Sequence, residues 1–131
     1  MDKLCLIARI LLGLIFFVFG LNGFFNFLPP PELPQAAQEF FGALAATGYF
    51  LTFVKLTEVV CGLLLLIGRF VPLALTILAP VVLNIVLFHI FLAPAPEGSA
   101  LGFISLLLGI FVAWCYRDSF GGVLAANAKP A

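Results

Sequence analysis

The stretch Phe70–Leu92, FVPLALTILAPVVLNIVLFHIFL, runs for 23 residues without a lysine, arginine, aspartate or glutamate. As a helix rising 1.5 Å per residue it reaches about 35 Å, enough to cross a hydrocarbon core of ~30 Å. A helix apolar on every side at that length has no place on a soluble surface. Working outward, three more segments share its character. One runs from about Leu4 to Leu28, before Pro29-Pro30-Pro31; a second from about Tyr49 to Ile67, where Gly68 suits a C-terminal cap; a third from about Ala100 to Tyr116, with Ser99 as N-cap. The fold class expected is all-α, a single four-helix transmembrane domain over residues 1–131. None of the runs alternates with period two, as a barrel strand would. Pro72 falls in a first turn, where a missing N–H does no harm. Pro80 is internal, so a kink is expected there, with the Thr76 hydroxyl or neighbouring groups compensating.

Composition agrees. The chain is 64% hydrophobic and 9% charged, with mean hydropathy +1.27 and zero net charge. No long-range field would recruit nucleic acid or an acidic partner. Cys5, Cys61 and Cys115 are far apart and form no CxxC pair, which argues against a disulfide scaffold or a zinc site; each reads as a small buried apolar residue. The N-terminal run lacks a small-x-small cleavage site and continues to Leu28, so it is expected to be a retained helix rather than a signal peptide.

The segment Gln35 to Thr47 is too short and polar to cross. Ala36, Phe40, Ala43, Leu44 and Thr47 fall at helical spacing opposite Gln38, predicting a short helix on the membrane surface that covers one end of the bundle. Basic residues set the orientation: Lys3, Arg9, Arg69, Arg117 and Lys129 fall on one side, whereas the other loops carry only Glu32, Glu39 and Glu97. The positive-inside rule then places both termini in the cytoplasm.

Polar side chains are costly in lipid and face a bundle interior or a wet cavity when they persist. Counted from the outer helix ends, His89 lies ~5 Å deep, Asn22 and Lys55 ~9 Å, Asn84 ~12 Å and Glu58 ~14 Å, with Asn26 near the boundary. All six are in the outer half, as a pocket open to that side requires. Lys55 and Glu58 share a face at i, i+3 and serve either as a structural ion pair or as a substrate or proton site. Asn22 and Asn26 suit interhelical hydrogen bonds. His89 can exchange protons or simply bond near the headgroups. One histidine builds no metal site, and no second axial ligand for haem is present. Arg9 lies one turn from the inner end, where snorkelling to phosphate is expected. It aligns with Gly13, Phe16, Gly20 and Gly23, with Asn22 opposite, so either face of the first helix suits the interior.

The segments Arg9-Ile-Leu-Leu-Gly13, Phe19-Gly-Leu-Asn-Gly23, Lys55-Leu-Thr-Glu58-Val-Val-Cys-Gly62, Arg69-Phe-Val-Pro72 and Ala79-Pro80-Val-Val-Leu-Asn84-Ile-Val-Leu-Phe-His89, in this order, resemble the DoxX family. The resemblance implies a four-helix membrane bundle in a bacterial-type inner membrane. Its relatives include a membrane subunit of a thiosulfate:quinone oxidoreductase and a component of a membrane-bound oxidoreductase assembly. The leading expectation is a membrane subunit of a redox assembly that binds a quinone-like molecule in the outer-half pocket. Lys55, Glu58, Asn84 and His89 would be its polar contacts, with Asn22 and Asn26 nearby, and the electron carrier would come from a partner. Two alternatives stand beside it: a small proton-coupled transporter acting as a homo-oligomer with Glu58 titrating, and a non-catalytic scaffold.

Overall fold

A computed structural model of the protein describes residues 2–27, 32–94 and 96–131, the side chains of 96–98 apart. Among these residues the regular structure is helical: α1 (Lys3–Phe25), α2 (Gln35–Ala46), α3 (Phe50–Ile67), α4 (Val71–Phe91), α5 (Pro96–Cys115) and a 3-10 turn, Arg117–Phe120. Three helices, α1, α3 and α4, are long and apolar enough to cross a membrane. The apolar part of α5, Ser99–Cys115, is shorter, about 25 Å of helix. Large apolar side chains such as Leu63, Leu83 and Leu107 remain exposed around the bundle, the arrangement expected where lipid rather than water is the solvent.

Local chemistry sets the helix ends. The first helix stops at Phe25, short of the expected Leu28, because Asn26 turns left-handed (φ 52°, ψ 44°) and returns its N–H to the Asn22 carbonyl at 2.8 Å. Asparagine is among the few residues that accept this conformation readily. The expected stop at Pro29–Pro31 lies outside the described residues. Gly68 caps α3 as expected, at φ 75°. Helix α5 begins at Pro96, so Ser99 lies in its first turn and is not the cap; proline suits a first helical position that needs no N–H. Pro80 lies within one continuous helix, and the Thr76 hydroxyl donates to the Pro72 carbonyl at 2.8 Å instead of serving the proline break.

Helix α1 packs against α3 and α5, and α4 closes the ring against the same two. The closest approach is between α1 and α3, where a Cβ added at Gly13 would lie 3.0 Å from the Gly62 carbonyl oxygen. Without a hydrophobic drive between helices in lipid, such backbone proximity is a main source of association. This settles the rotation of α1: the face carrying Gly13, Phe16 and Gly20 turns inward. The buried core of Leu12, Phe16, Leu65, Val71, Leu78 and Val112 lies toward the end that holds both termini.

Helix α2 rests on α3 and, through Phe40 and Phe41, on Phe88 of α4, with ring centroids 5.7 and 5.0 Å apart. It therefore covers the opposite end of the bundle. Its buried face centres on Ala37, with Phe40 and Leu44 half-buried, while Ala36 and Ala43 are exposed. The expected face is turned because α2 packs on protein, and Phe88 determines the rotation. Thr47 accepts the Phe50 N–H at 3.1 Å and so caps α3.

The cysteine expectation holds for Cys61, which is buried and free, and fails for the other two: Cys5 and Cys115 form a disulfide with Cα atoms 6.2 Å apart. Although 110 residues separate them, four long helices running alternately up and down return the chain to its starting end.

Candidate functional site

In the half of the bundle covered by α2, Lys55 Nζ lies 3.2 Å from Glu58 Oε2, in the geometry of an ion pair rather than an aligned hydrogen bond. Glu58 is only 4% exposed. Room for the pair comes from α1: the Glu58 Cβ is 3.2 Å from where a Cβ on Gly20 would stand, and the Lys55 stem lies directly over Gly23. The glycines thus let α3 bury a carboxylate while the half-exposed lysine neutralises it.

Of the other expected site residues, Asn26, Asn84 and His89 form no hydrogen bond or ion pair with these two side chains. Asn26 is exposed and serves as the cap of α1, and Asn22 is half-buried on the same helix. His89 Nδ1 lies 2.9 Å from the Ile85 carbonyl. A carbonyl can only accept, so Nδ1 carries the proton in this contact. The ring stands edge-on to Phe88, and its Nδ1 is 3.7 Å from where a Cβ on Gly102 of α5 would stand. Asn84 is exposed on the outside of α4. Depth along the axis put Asn84 level with Glu58; rotation about the axis points it away, which corrects the expectation of a cavity shared by both.

An open groove of ≈ 360 Å³ lies in the other half of the molecule, between α1, α4 and α5. Leu12 and Phe16 form one wall, Leu75, Leu78 and Val82 the second, Leu106, Ile110 and Ala113 the third, and Phe120, Val123 and Leu124 the end nearest the C-terminus. Its polar lining side chain is Thr76, already bonded to Pro72. Size and apolar walls suit a small hydrophobic ligand entering from lipid. The disulfide is at the same end of the bundle: Cys115 is about 3 Å farther along the α5 axis than Ala113, which lines the groove, but, two residues on, it stands about 200° around the helix, on another face. Both bonded cysteines are half-buried and border a second cavity of ≈ 450 Å³ with Asp2, Phe111, Trp114 and Arg117.

Arg9 is likewise turned into this end of the bundle instead of out to the headgroups. Its Nη1 donates to the Tyr116 hydroxyl at 3.4 Å, and the guanidinium lies against Gly68, where an added Cβ would be 2.8 Å from Nη1. A cation there also meets the negative end of the α3 dipole.

Sequence reading missed the groove and the disulfide. For the disulfide a signal existed, since Cys5 lies between Lys3 and Arg9, and Cys115 is two residues from Arg117. The residues used to orient the chain already put both cysteines at one end.

Neither a curated protein nor a solved structure matches the chain. The family model described as DoxX matches residues 4–93, a span running from the start of α1 to just past α4 and taking in Arg9, the Lys55–Glu58 pair, Pro80, Asn84 and His89. With that much of its length matched, this chain belongs to the DoxX family.

Proposed function

We propose that this DoxX-family protein is the membrane subunit of a redox assembly, multi-pass in the plasma membrane, in which Cys5 and Cys115 pass electrons to a quinone-like ligand held in the groove between α1, α4 and α5. The observation that carries the reading is an apolar groove and a disulfide at the same end of the bundle, the disulfide bordering its own cavity. The groove's walls fit the apolar body of such a ligand, and Arg9 and Tyr116 supply polar groups at the same end of the bundle. A bound quinone supplies a two-electron, two-proton acceptor.

The protein's part is the dithiol. As the S–S bond forms, the two thiols release two electrons and two protons, and a cytosolic dithiol protein restores them by thiol–disulfide exchange, itself ending as a disulfide. This cycle needs the sulfurs on the cytoplasmic side, where thiols are kept reduced and disulfides are transient. The basic residues Arg9, Arg69 and Arg117 support that orientation. With α5 as the fourth crossing, both termini are cytoplasmic and α2 is outside. A transporter with Glu58 as its titrating group is disfavoured by the lysine 3.2 Å away.

Two experiments test this reading. A cysteine introduced at Gln35, the exposed start of α2, is expected to react with an impermeant maleimide from outside intact cells. Reaction only after permeabilisation reverses the orientation. Purified protein, reduced and freed of reductant, is then mixed with a short-chain quinone. One quinol and one re-formed disulfide per chain are expected, and Cys115→Ser abolishes both. Gly109→Phe fills the groove without a clash, since an added Cβ there meets nothing within 4 Å, and is expected to raise the quinone concentration required about tenfold or more, a loss of roughly 1.4 kcal/mol in binding. Thiols that stay free with quinone yet close with a chemical oxidant sink the proposal.

A further inference from the structure

Helix α4 has two well-separated faces. Leu75, Leu78, Val82 and Val86 are buried within the bundle. Leu73, Ile77, Pro80, Asn84, Leu87 and Phe91 are exposed, at successive spacings of 4, 3, 4, 3 and 4 residues. At 100° per residue these six fall within an arc of about 80°, opposite the buried face. A 4, 3 alternation is the seam along which two helices pack at a small left-handed crossing.

At the level of Asn84 this seam is not lipid-like. The Asn84 amide is exposed within an otherwise apolar span and meets no partner among the described residues. Pro80, one turn earlier on the same seam, also lacks the N–H that would bond the Thr76 carbonyl. An amide facing hydrocarbon is costly and is relieved by a hydrogen bond from a neighbouring helix.

We infer that α4 is a homodimer interface, two copies meeting along the outer seam with their Asn84 amides hydrogen-bonded to each other. Two features single out a second copy as the occupant. An amide carries both donor and acceptor, so it complements itself. Copies inserted with the same orientation are related by a two-fold axis along the membrane normal, so each α4 lies parallel to its mate and Asn84 meets Asn84 at equal depth. A single buried asparagine on such a seam also specifies register and two-strandedness. The inference is independent of the quinone reading.

The test uses the full chain in lipid vesicles with a short bifunctional maleimide. Leu87→Cys, on the seam, is expected to give a covalent dimer, whereas Leu107→Cys on α5, 66% exposed, gives little. Native Cys61 is 2% exposed, and Cys5 and Cys115 are held as their disulfide by oxidation before labelling, so they stay silent. Adding Asn84→Leu is expected to weaken association about tenfold with helix content unchanged, because the side chain is exposed and makes no hydrogen bond among the described residues. Equal yields at the two positions overturn the inference. So does a yield indifferent to Asn84→Leu, or capture of a different protein by Leu87→Cys in native membranes. If Asn84→Leu fails to fold, the comparison of positions 87 and 107 decides alone.

Discussion

Gly62→Leu is expected to abolish the native bundle, lowering stability by about 3 kcal/mol or more. A Cβ at this position would stand 2.5 Å from the Phe17 amide nitrogen, 2.9 Å from the Gly13 carbonyl oxygen and 3.0 Å from the Phe17 Cα. All three are backbone atoms. No rotamer change relieves the clash, so α1 and α3 must separate along the interface where they approach most closely. The separation would also disturb the Lys55–Glu58 pair, which sits one to two turns away on α3 against the same helix. Thermal unfolding in mild detergent checks this. Gly42→Leu on α2, where an added Cβ meets nothing within 4 Å, is the control and is expected to stay near the parent. Comparable losses for the two would mean that the close approach of α1 and α3 contributes little.

Lys55→Met is expected to cost roughly 2 to 3 kcal/mol, less than the usual damage to a fully buried ion pair because the Lys55 side chain is 35% exposed while that of Glu58 is 6% exposed. Methionine keeps the stem that lies over Gly23, so the loss isolates the charge. The Glu58 carboxylate, on a side chain 6% exposed, would then have no cation. Lys55→Met combined with Glu58→Leu removes the stranded charge as well and is expected to cost much less than either single change. A double-mutant cycle read by thermal unfolding gives the coupling directly. Additive losses would show that the two groups act independently, leaving Glu58 available for proton chemistry of its own.

The candidate site was only partly legible. Spacing alone paired Lys55 with Glu58, because residues three apart on one helix are neighbours whatever surrounds them. Asn84 and His89 entered the same pocket on depth, a quantity that the 1.5 Å rise fixes; their rotation about α4 depends on which side of that helix the other helices occupy. The pattern could have warned of this, since Asn84 shares a seam with Leu73, Ile77 and Leu87 while Val82 and Val86 lie on the other side. In a helix apolar all round, however, hydrophobicity does not mark the inner face. Arg9 and the cysteines show the same gap: their level at one end was readable, and their contacts with Tyr116, Gly68 and each other were not.

By itself the sequence determined the all-helical class, the approximate limits of the long apolar helices, the capping role of Gly68, the i, i+3 ion pair and the family, all of which rest on spacing within one helix or on the order of motifs along the chain. Only the tertiary structure decided that the glycine face of α1 turns toward α3, that Cys5 bonds Cys115, that Ala37 and not Ala36 lies under α2, that Asn84 faces outward, and that the open apolar groove lies at the terminal end. The physical reason is common to these cases. Lipid, unlike water, attracts both faces of an apolar helix equally, so helix rotation is selected by how closely backbones can approach and which polar groups find partners, and those are properties of pairs of helices.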